Sequence, residues 1–232
     1  MVTTVSGQRI VQTPVIGIDD PDHALKIYLS GDWRTWRSQP VRKEPWTYGW
    51  LKDLREGDVF YDVGACVGSY SLMAAARGAT VLAFEPVPWN YAECVANVHL
   101  NNLQDQIKVF PVAAGPESGL ITISHPPGPV PGFGEGGSPN GQADRWQIEV
   151  RQVALRDQNP QPTHVKIDVE GNEIAVLRGM DFNSVKSLIV EVKDVDRETD
   201  VMAILGAAGF QSNWTGGRRT EDQRTHIFGR KL

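Results

Sequence analysis

The sequence has 232 residues, the size of one domain with a full hydrophobic core. Its 41% hydrophobic and 22% charged residues form an ordinary globular composition, which excludes a disordered chain. Acidic residues outnumber basic ones by 28 to 23, a net charge of −5, which argues against a dedicated nucleic-acid-binding protein because such proteins present a basic face.

No apolar run is long enough to span a bilayer, and the first twenty residues lack the charged-then-apolar pattern of a signal peptide. The two cysteines, Cys66 and Cys94, are too few for a disulfide framework and are expected to be free thiols. We therefore expect a cytoplasmic protein without a membrane partner. Its oligomeric state is left open.

Residues 1–45 are expected to form an N-terminal extension or lid ahead of a main domain over 46–232. Two short strands are predicted at 15–18 and 24–29, separated by the acidic turn sequence D-D-P-D. A helix is predicted over 46–55. Five aromatic residues in this part of the chain either pack the extension onto the domain or wall a ligand pocket, namely Trp33, Trp36, Trp46, Tyr48 and Trp50.

A glycine turn dominates the next stretch. A β-prone apolar run at 59–61 is followed by Asp62, by Gly64 and Gly68, and then by a helix-prone run at 71–76. Such a strand–turn–helix unit forms a ligand crevice in doubly wound sheets. The spacing differs from the G-x-G-x-x-G of dinucleotide sites, and the Asp62 carboxylate would repel a pyrophosphate but suits a cationic ligand. This disfavours a dinucleotide-dependent oxidoreductase and favours S-adenosylmethionine.

The predicted second strand, 80–84, ends at Glu85, about twenty residues after the turn. A carboxylate there can accept both ribose hydroxyls of an adenosine, although capping of the helix that follows is the alternative. A helix over 89–103 and a third strand over 107–113 come next. An antiparallel pair at 119–124 and 146–155 flanks a Pro- and Gly-rich loop, which we expect to be a mobile lid on the acceptor side.

A fourth strand over 163–169 is predicted to bring Asp168 to the same sheet edge as Asp62 and Glu85. His164, at the start of that strand, should lie at the opposite edge. A fifth strand over 188–192 carries Glu191 near its end. A helix over 196–208 and two strands, 210–214 and 225–230, complete the chain.

Four segments resemble the FkbM family of S-adenosylmethionine-dependent methyltransferases, in order and with matching spacing from about residue 57 to 191. They are D-V-G-A-C-V-G-S-Y-S, F-E-P-V-P-W-N, V-K-I-D-V-E-G-N-E and V-L-R-G-M. The resemblance implies an α/β class I methyltransferase fold, Rossmann-like, with a doubly wound, mostly parallel seven-stranded sheet and a C-terminal antiparallel hairpin. It also implies methylation of a small molecule, most readily a sugar or polyketide hydroxyl. An N- or carboxyl-methyltransferase and a non-catalytic binding module are the alternatives.

The site residues are predicted partly from the resemblance, which implies the adenine contact of Val112 and Ala113, and partly from strand positions. Cys66 stands where the family usually has Asn, so one hydrogen bond to the cofactor is in question. Asp168 is the first choice for a residue that contacts both acceptor and cofactor, and Glu191 is the second acid at that edge; His125 is a reserve base. Asp168 and Glu191 could together hold a divalent ion, but the sequence offers no clear third ligand, so no metal site is predicted. The predicted cofactor-binding residues are Asp62, Gly64, Ala65, Cys66, Gly68, Tyr70, Glu85, Pro86, Asn90, Val112, Ala113 and Asp168.

Overall fold

The computed structural model describes residues 2–5, 8–11, 15–29, 37–125, 146–192, 197–215 and 225–231. These residues form fourteen strands, six α-helices and one 3₁₀ turn at Leu155–Asp157. The helices are α1 (Pro40–Lys43), α2 (Pro45–Leu51), α3 (Ser69–Ala76), α4 (Pro88–Leu100), α5 (Glu173–Arg178) and α6 (Glu198–Ala207). The strands are β1 (Val2–Val5), β2 (Gln8–Val11), β3 (Val15–Gly17), β4 (Lys26–Tyr28), β5 (Val59–Val63), β6 (Thr80–Phe84), β7 (Ile107–Phe110), β8 (Val112–Ala114), β9 (Gly119–His125), β10 (Trp146–Val153), β11 (His164–Ile167), β12 (Ser187–Val192), β13 (Phe210–Thr215) and β14 (Thr225–Lys231).

A seven-stranded sheet forms the centre of the structure, in the order β13-β14-β12-β11-β5-β6-β7. The five strands from β12 to β7 are parallel, whereas β14 runs antiparallel to both β12 and β13. This confirms the predicted fold class, including the C-terminal hairpin. Because β11, β5 and β6 are neighbours, the acids that follow or end them meet at one edge of the sheet.

The sheet is buried on both faces. Along β5, Phe60 packs into one hydrophobic core and Tyr61 into the other, because successive side chains of a strand point to opposite faces. All residues of β11 and β12 are buried, as expected for parallel strands covered on both sides. The apolar runs that predict these strands are therefore a consequence of two-sided burial.

The third strand departs from its prediction. It was expected to run without a break from 107 to 113, but β7 ends at Phe110, and β8 belongs to a separate three-stranded sheet in the order β8-β10-β9. Pro111 lies between them and has no backbone N–H to donate to a ladder, so the strand leaves the central sheet there. The antiparallel pair β9–β10 agrees with its prediction.

The predicted N-terminal pair forms the antiparallel hairpin β3–β4. Ile27 and Leu29 are buried in the same core as Phe60, and a guanidinium–carboxylate pair joins Arg77 of the domain to Asp20 of the hairpin turn at 2.8 Å. The hairpin thus shares the core of the main domain, while the division at residues 45/46 stays a prediction.

Two further expectations concern segments only partly described. Residues 126–145, most of the expected lid, lie outside the described residues, as do Trp33 and Trp36. Within the described ranges, no helix combines the length and apolarity that crossing a membrane would need.

Candidate active site

The turn between β5 and α3 requires glycine at Gly64. Its φ is +84°, and a Cβ added there would lie 1.9 Å from the carbonyl oxygen of Asp168. The absence of a side chain therefore lets the turn after β5 touch the turn after β11. This contact is the physical link between the two motifs on which the predicted site depends.

Glu85 ties the end of β6 to the same turn. Its carboxylate accepts hydrogen bonds from the amides of Cys66 at 2.8 Å and Val87 at 2.9 Å, and from the Asn90 side chain at 3.4 Å. Burial raises the pKa of Glu85 to about 7, because these donors only partly offset the loss of water. The residue is thus a buried acceptor held by neutral groups.

Asp62 is fully buried within β5. One of its oxygens accepts a hydrogen bond from the Ser71 hydroxyl at 2.7 Å, which fixes the strand to α3. Burial raises the pKa of Asp62, and the nearby Lys166 ammonium opposes that rise. A contact between Asp62 and the cofactor stays a prediction.

Asp168 follows β11 and is more accessible, with 19% of its side chain exposed. Lys166, which is fully buried, contacts it at 3.1 Å and lies over the ring of Tyr70, 4.7 Å from the centroid. Burial alone would lower the pKa of Lys166, but the surrounding carboxylates, Asp168 first among them, raise it. The lysine therefore stays charged and holds Asp168 in place.

Glu191 lies one strand further, where the sequence predicts it, and is buried. It is paired in register with His226 of β14, and the His226 Nε2 atom is 3.4 Å from Glu191 and 3.5 Å from Glu44. Burial would lower the pKa of His226 and raise those of the acids. The interaction between His226 and the two carboxylates outweighs this effect of burial. It raises the pKa of His226 to about 9, lowers that of Glu191 to about 2 and holds that of Glu44 well below its usual value.

The N-terminal segment reaches the glycine turn through Arg37. Its guanidinium donates a hydrogen bond to the Cys66 thiol, and its carbonyl accepts one from the Ser69 hydroxyl at 2.8 Å. Burial raises the pKa of Cys66 to about 12, so the thiol is neutral. Cys66 and Cys94 are both free, as predicted.

Two tryptophans of the N-terminal part, Trp46 and Trp50, lie in different surroundings. Trp50 is buried and donates to Ser187 at the amino end of β12, so it packs the core. The Trp46 ring instead lies against His226, with 5.1 Å between centroids. Of the two alternatives, packing therefore describes Trp50, whereas Trp46 belongs to the candidate site.

The remaining predicted positions are spread around this centre. Val112 and Ala113 lie on β8, beyond the break at Pro111, and the neighbour of Glu85 at the end of β7 is Phe110, whose carbonyl accepts the Glu85 amide at 3.0 Å. His164 lies at the opposite edge, 3.7 Å from Asp58, which confirms its predicted position. His125 ends β9, and its side chain lies outside the described residues.

Four residues of this region escaped the sequence reasoning: Arg37, Glu44, Lys166 and His226. Lys166 carried a usable signal, since it is a charged residue inside an otherwise apolar strand, two positions before Asp168. The other three come from distant parts of the chain, and nothing in the local pattern marks them.

Comparisons with known proteins agree with this architecture. The chain is 28% identical over 227 residues to the hexuronic acid methyltransferase AglP of Haloferax volcanii, covering 95% of this chain and 90% of that one. It is 31% identical over 194 residues to the 31-O-demethyl-FK506 methyltransferase FkbM of Streptomyces tacrolimicus, covering 68% and 74%.

Solved structures share the fold. An FkbM methyltransferase from Methylobacillus flagellatus superposes with a TM-score of 0.53 at 15% identity, covering 87% of this chain and 56% of that one. The precorrin-6y C5,15-methyltransferase of Geobacter metallireducens gives 0.54 at 19% identity, covering 95% and 100%. The family described as the methyltransferase FkbM domain matches residues 62–212, well over half of the sequence. The chain therefore belongs to the FkbM family of methyltransferases.

Proposed function

We propose that this methyltransferase moves the methyl group of S-adenosylmethionine to a hydroxyl oxygen of a small-molecule acceptor, with sugars as the acceptor class. The observation that carries the proposal is the position of Asp168. It lies against the glycine turn, it is partly exposed, and its strand neighbours the one that carries Glu191. A base at that point can contact both the cofactor and an acceptor.

The residues around the turn fit the cofactor. Glu85 is a buried carboxylate with neutral donors, so two ribose hydroxyls would add the hydrogen bonds that favour its charged form. Asp168 and Asp62 are the acids that would attract the sulfonium and the ammonium of this cofactor. The other predicted contacts would come from the turn 64–68 and from Tyr70, Pro86 and Asn90. Val112 and Ala113 would lie near the adenine edge.

S-adenosylmethionine would supply a sulfonium-activated methyl group, and its sulfur would keep the electron pair of the broken carbon–sulfur bond, giving S-adenosylhomocysteine. The protein has to align the acceptor oxygen with that bond, which contributes roughly 7–11 kcal/mol to lowering the barrier. Asp168 accepts the hydroxyl proton as the oxygen–methyl bond forms, which adds about a hundred- to ten-thousand-fold in rate. Lys166 keeps the carboxylate oriented towards the acceptor.

One further acceptor is favoured by a specific observation. The cations Lys43 and Lys166 lie among the acids of this region, and the relative that covers nearly the whole chain is named a hexuronic acid methyltransferase. An acidic sugar would suit such cations, and its carboxylate would need no base. Treating the methylated product with mild alkali separates the two reactions, because a methyl ester is cleaved and a methyl ether is not.

The test compares the wild type with Asp168→Asn. Calorimetry should detect S-adenosylmethionine and S-adenosylhomocysteine but not NAD in both proteins. Turnover of a sugar hydroxyl should fall about a hundred- to ten-thousand-fold in the variant, because an amide cannot take the proton. Full turnover with intact cofactor binding would show that Asp168 is not the base, and heat with NAD alone would overturn the proposed cofactor.

A further inference from the structure

Three side chains from distant parts of the chain converge next to the predicted acceptor position. Glu191 and His226 are directly opposite each other on the antiparallel strands β12 and β14, so their side chains share one face of the sheet. Glu44 reaches the same point from the junction of α1 and α2. All three are buried, and one ligand atom from each lies within 4.8 Å of the other two.

The separations within this group are unusual for hydrogen bonds. The His226 Nε2 atom is 3.4 Å from a Glu191 oxygen and 3.5 Å from a Glu44 oxygen, whereas a charge-assisted N–H···O contact measures about 2.7–2.9 Å. Ligands placed tetrahedrally at about 2.0–2.2 Å from a metal ion are about 3.3–3.6 Å apart. The two separations from His226 Nε2 therefore match two edges of a coordination tetrahedron.

His226 itself points to a ligand. Nine-tenths of its side chain is buried, yet within the described part of the chain Nε2 makes no hydrogen bond. A buried polar atom in that position costs free energy unless something satisfies it. A metal ion bound to Nε2 would do so.

The surroundings hold the three side chains in place. Thr47 donates a hydrogen bond at 3.0 Å to the same Glu44 oxygen that faces His226, and the Lys43 ammonium lies 3.2 Å from the other oxygen. The Trp46 ring packs against the imidazole. Partners that fix the ligands' orientation in this way are a usual part of metal sites.

A second group, which also contains two carboxylates and one histidine, provides a contrast. Asp20, Asp22 and His23 also cluster, but Arg77 contacts Asp20 at 2.8 Å and Asp22 at 3.1 Å. A guanidinium already satisfies those carboxylates, so this cluster is explained by its role in pinning the hairpin. Because this cluster is not expected to bind an ion, it provides the control in the binding experiment below.

We propose that Glu44, Glu191 and His226 bind one divalent transition-metal ion, of the Zn²⁺ or Mn²⁺ class, beside the acceptor position. One nitrogen and two carboxylate oxygens are a ligand set that suits such ions and leaves the fourth position open. The site differs from the pair expected from the sequence, because Glu191 finds its partners on β14 and before α2 and not in Asp168. An acceptor oxygen would occupy the open position on the ion. This second assignment rests on the proposed function, whereas ion binding does not.

Equilibrium dialysis of the metal-free protein against Zn²⁺, followed by elemental analysis, measures the stoichiometry. The wild type and His23→Asn should each retain one ion, whereas Glu191→Gln and His226→Asn should bind at least tenfold more weakly. No retained ion in the wild type, or a loss in His23→Asn with retention in His226→Asn, would overturn the proposal. Circular dichroism checks that the variants fold.

A measurement on the wild type alone avoids dependence on the variants. Mn²⁺ bound to the protein should show imidazole-nitrogen modulation in pulsed electron paramagnetic resonance, because His226 supplies one ligand. Bound Mn²⁺ without that modulation would contradict the assignment. S-adenosylmethionine binding by the metal-free protein, measured by calorimetry, tests the proposed function separately, since the glycine turn contains none of the three ligands.

Discussion

Replacing Gly64 by Ala should damage both stability and catalysis, and the two effects can be calculated from the structure. The backbone at Gly64 has φ +84°, and an L-residue in the left-handed region costs about 1–2 kcal/mol. The new methyl group would lie 1.9 Å from the Asp168 carbonyl oxygen. Relieving that overlap requires a shift of more than about 1 Å, since ordinary carbon–oxygen contacts begin near 3.3 Å.

Overpacking of this kind adds roughly 1–3 kcal/mol, so Gly64→Ala should lose about 2–5 kcal/mol of unfolding free energy. The matched control is Gly57→Ala. Its φ is +89°, but a Cβ there would meet nothing within 4 Å, so it reports the backbone cost alone, about 1–2 kcal/mol. Urea denaturation of both variants measures the difference.

The catalytic effect follows from the same displacement. A shift of about 1 Å in Asp168 should lower turnover about a hundredfold at saturating cofactor, because the base would no longer face the acceptor oxygen correctly. Gly57→Ala should keep wild-type turnover. The reasoning is refuted if Gly64→Ala is no less stable than Gly57→Ala, or if it turns over at the wild-type rate.

Two other predictions concern pH and the hairpin. Glu85 has a pKa raised to about 7, so its proton is lost only above that pH, and S-adenosylmethionine affinity should fall as pH drops from 8 to 6. Calorimetry should find this dependence in the wild type and not in Glu85→Gln; an equal slope in both would assign the effect to another group. Arg77→Ala should lose about 3–5 kcal/mol in urea denaturation, because it leaves the Asp20 carboxylate buried without its partner. Asp22→Asn should lose less than about 1 kcal/mol, since half of the Asp22 side chain is exposed; equal losses would contradict this ranking.

The sequence predicts well where Asp62, Glu85 and Asp168 lie, because their position at the sheet edge depends on local order. Asp62 is the second-last residue of β5, and Glu85 and Asp168 directly follow β6 and β11. An acid in such a position lies at the carboxyl edge of a parallel sheet. The break at Pro111 was also readable in principle, since proline cannot take part in a central ladder. The prediction of one strand over 107–113 is therefore wrong at Pro111.

The grouping of Glu44, Glu191 and His226 depends on contacts that no local pattern encodes. His226 meets Glu191 only because β14 pairs with β12 in one register, and a shift by one residue would turn His226 to the other face. Glu44 lies beside His226 because the chain between α1 and α2 passes that point. Arg37 lies beside Cys66 for the same reason. Long-range geometry of this kind requires coordinates.

The register of β14 has a consequence for how the family can diversify. The matched family segment, 62–212, contains the glycine turn, Glu85 and Asp168, whereas Glu44 and His226 come from outside it. The side chains proposed to bind the methyl donor can thus stay unchanged while two of the three ligands of the proposed ion vary. A relative could keep the donor site and lose the proposed ion through substitutions at two positions, one before the shared segment and one after it.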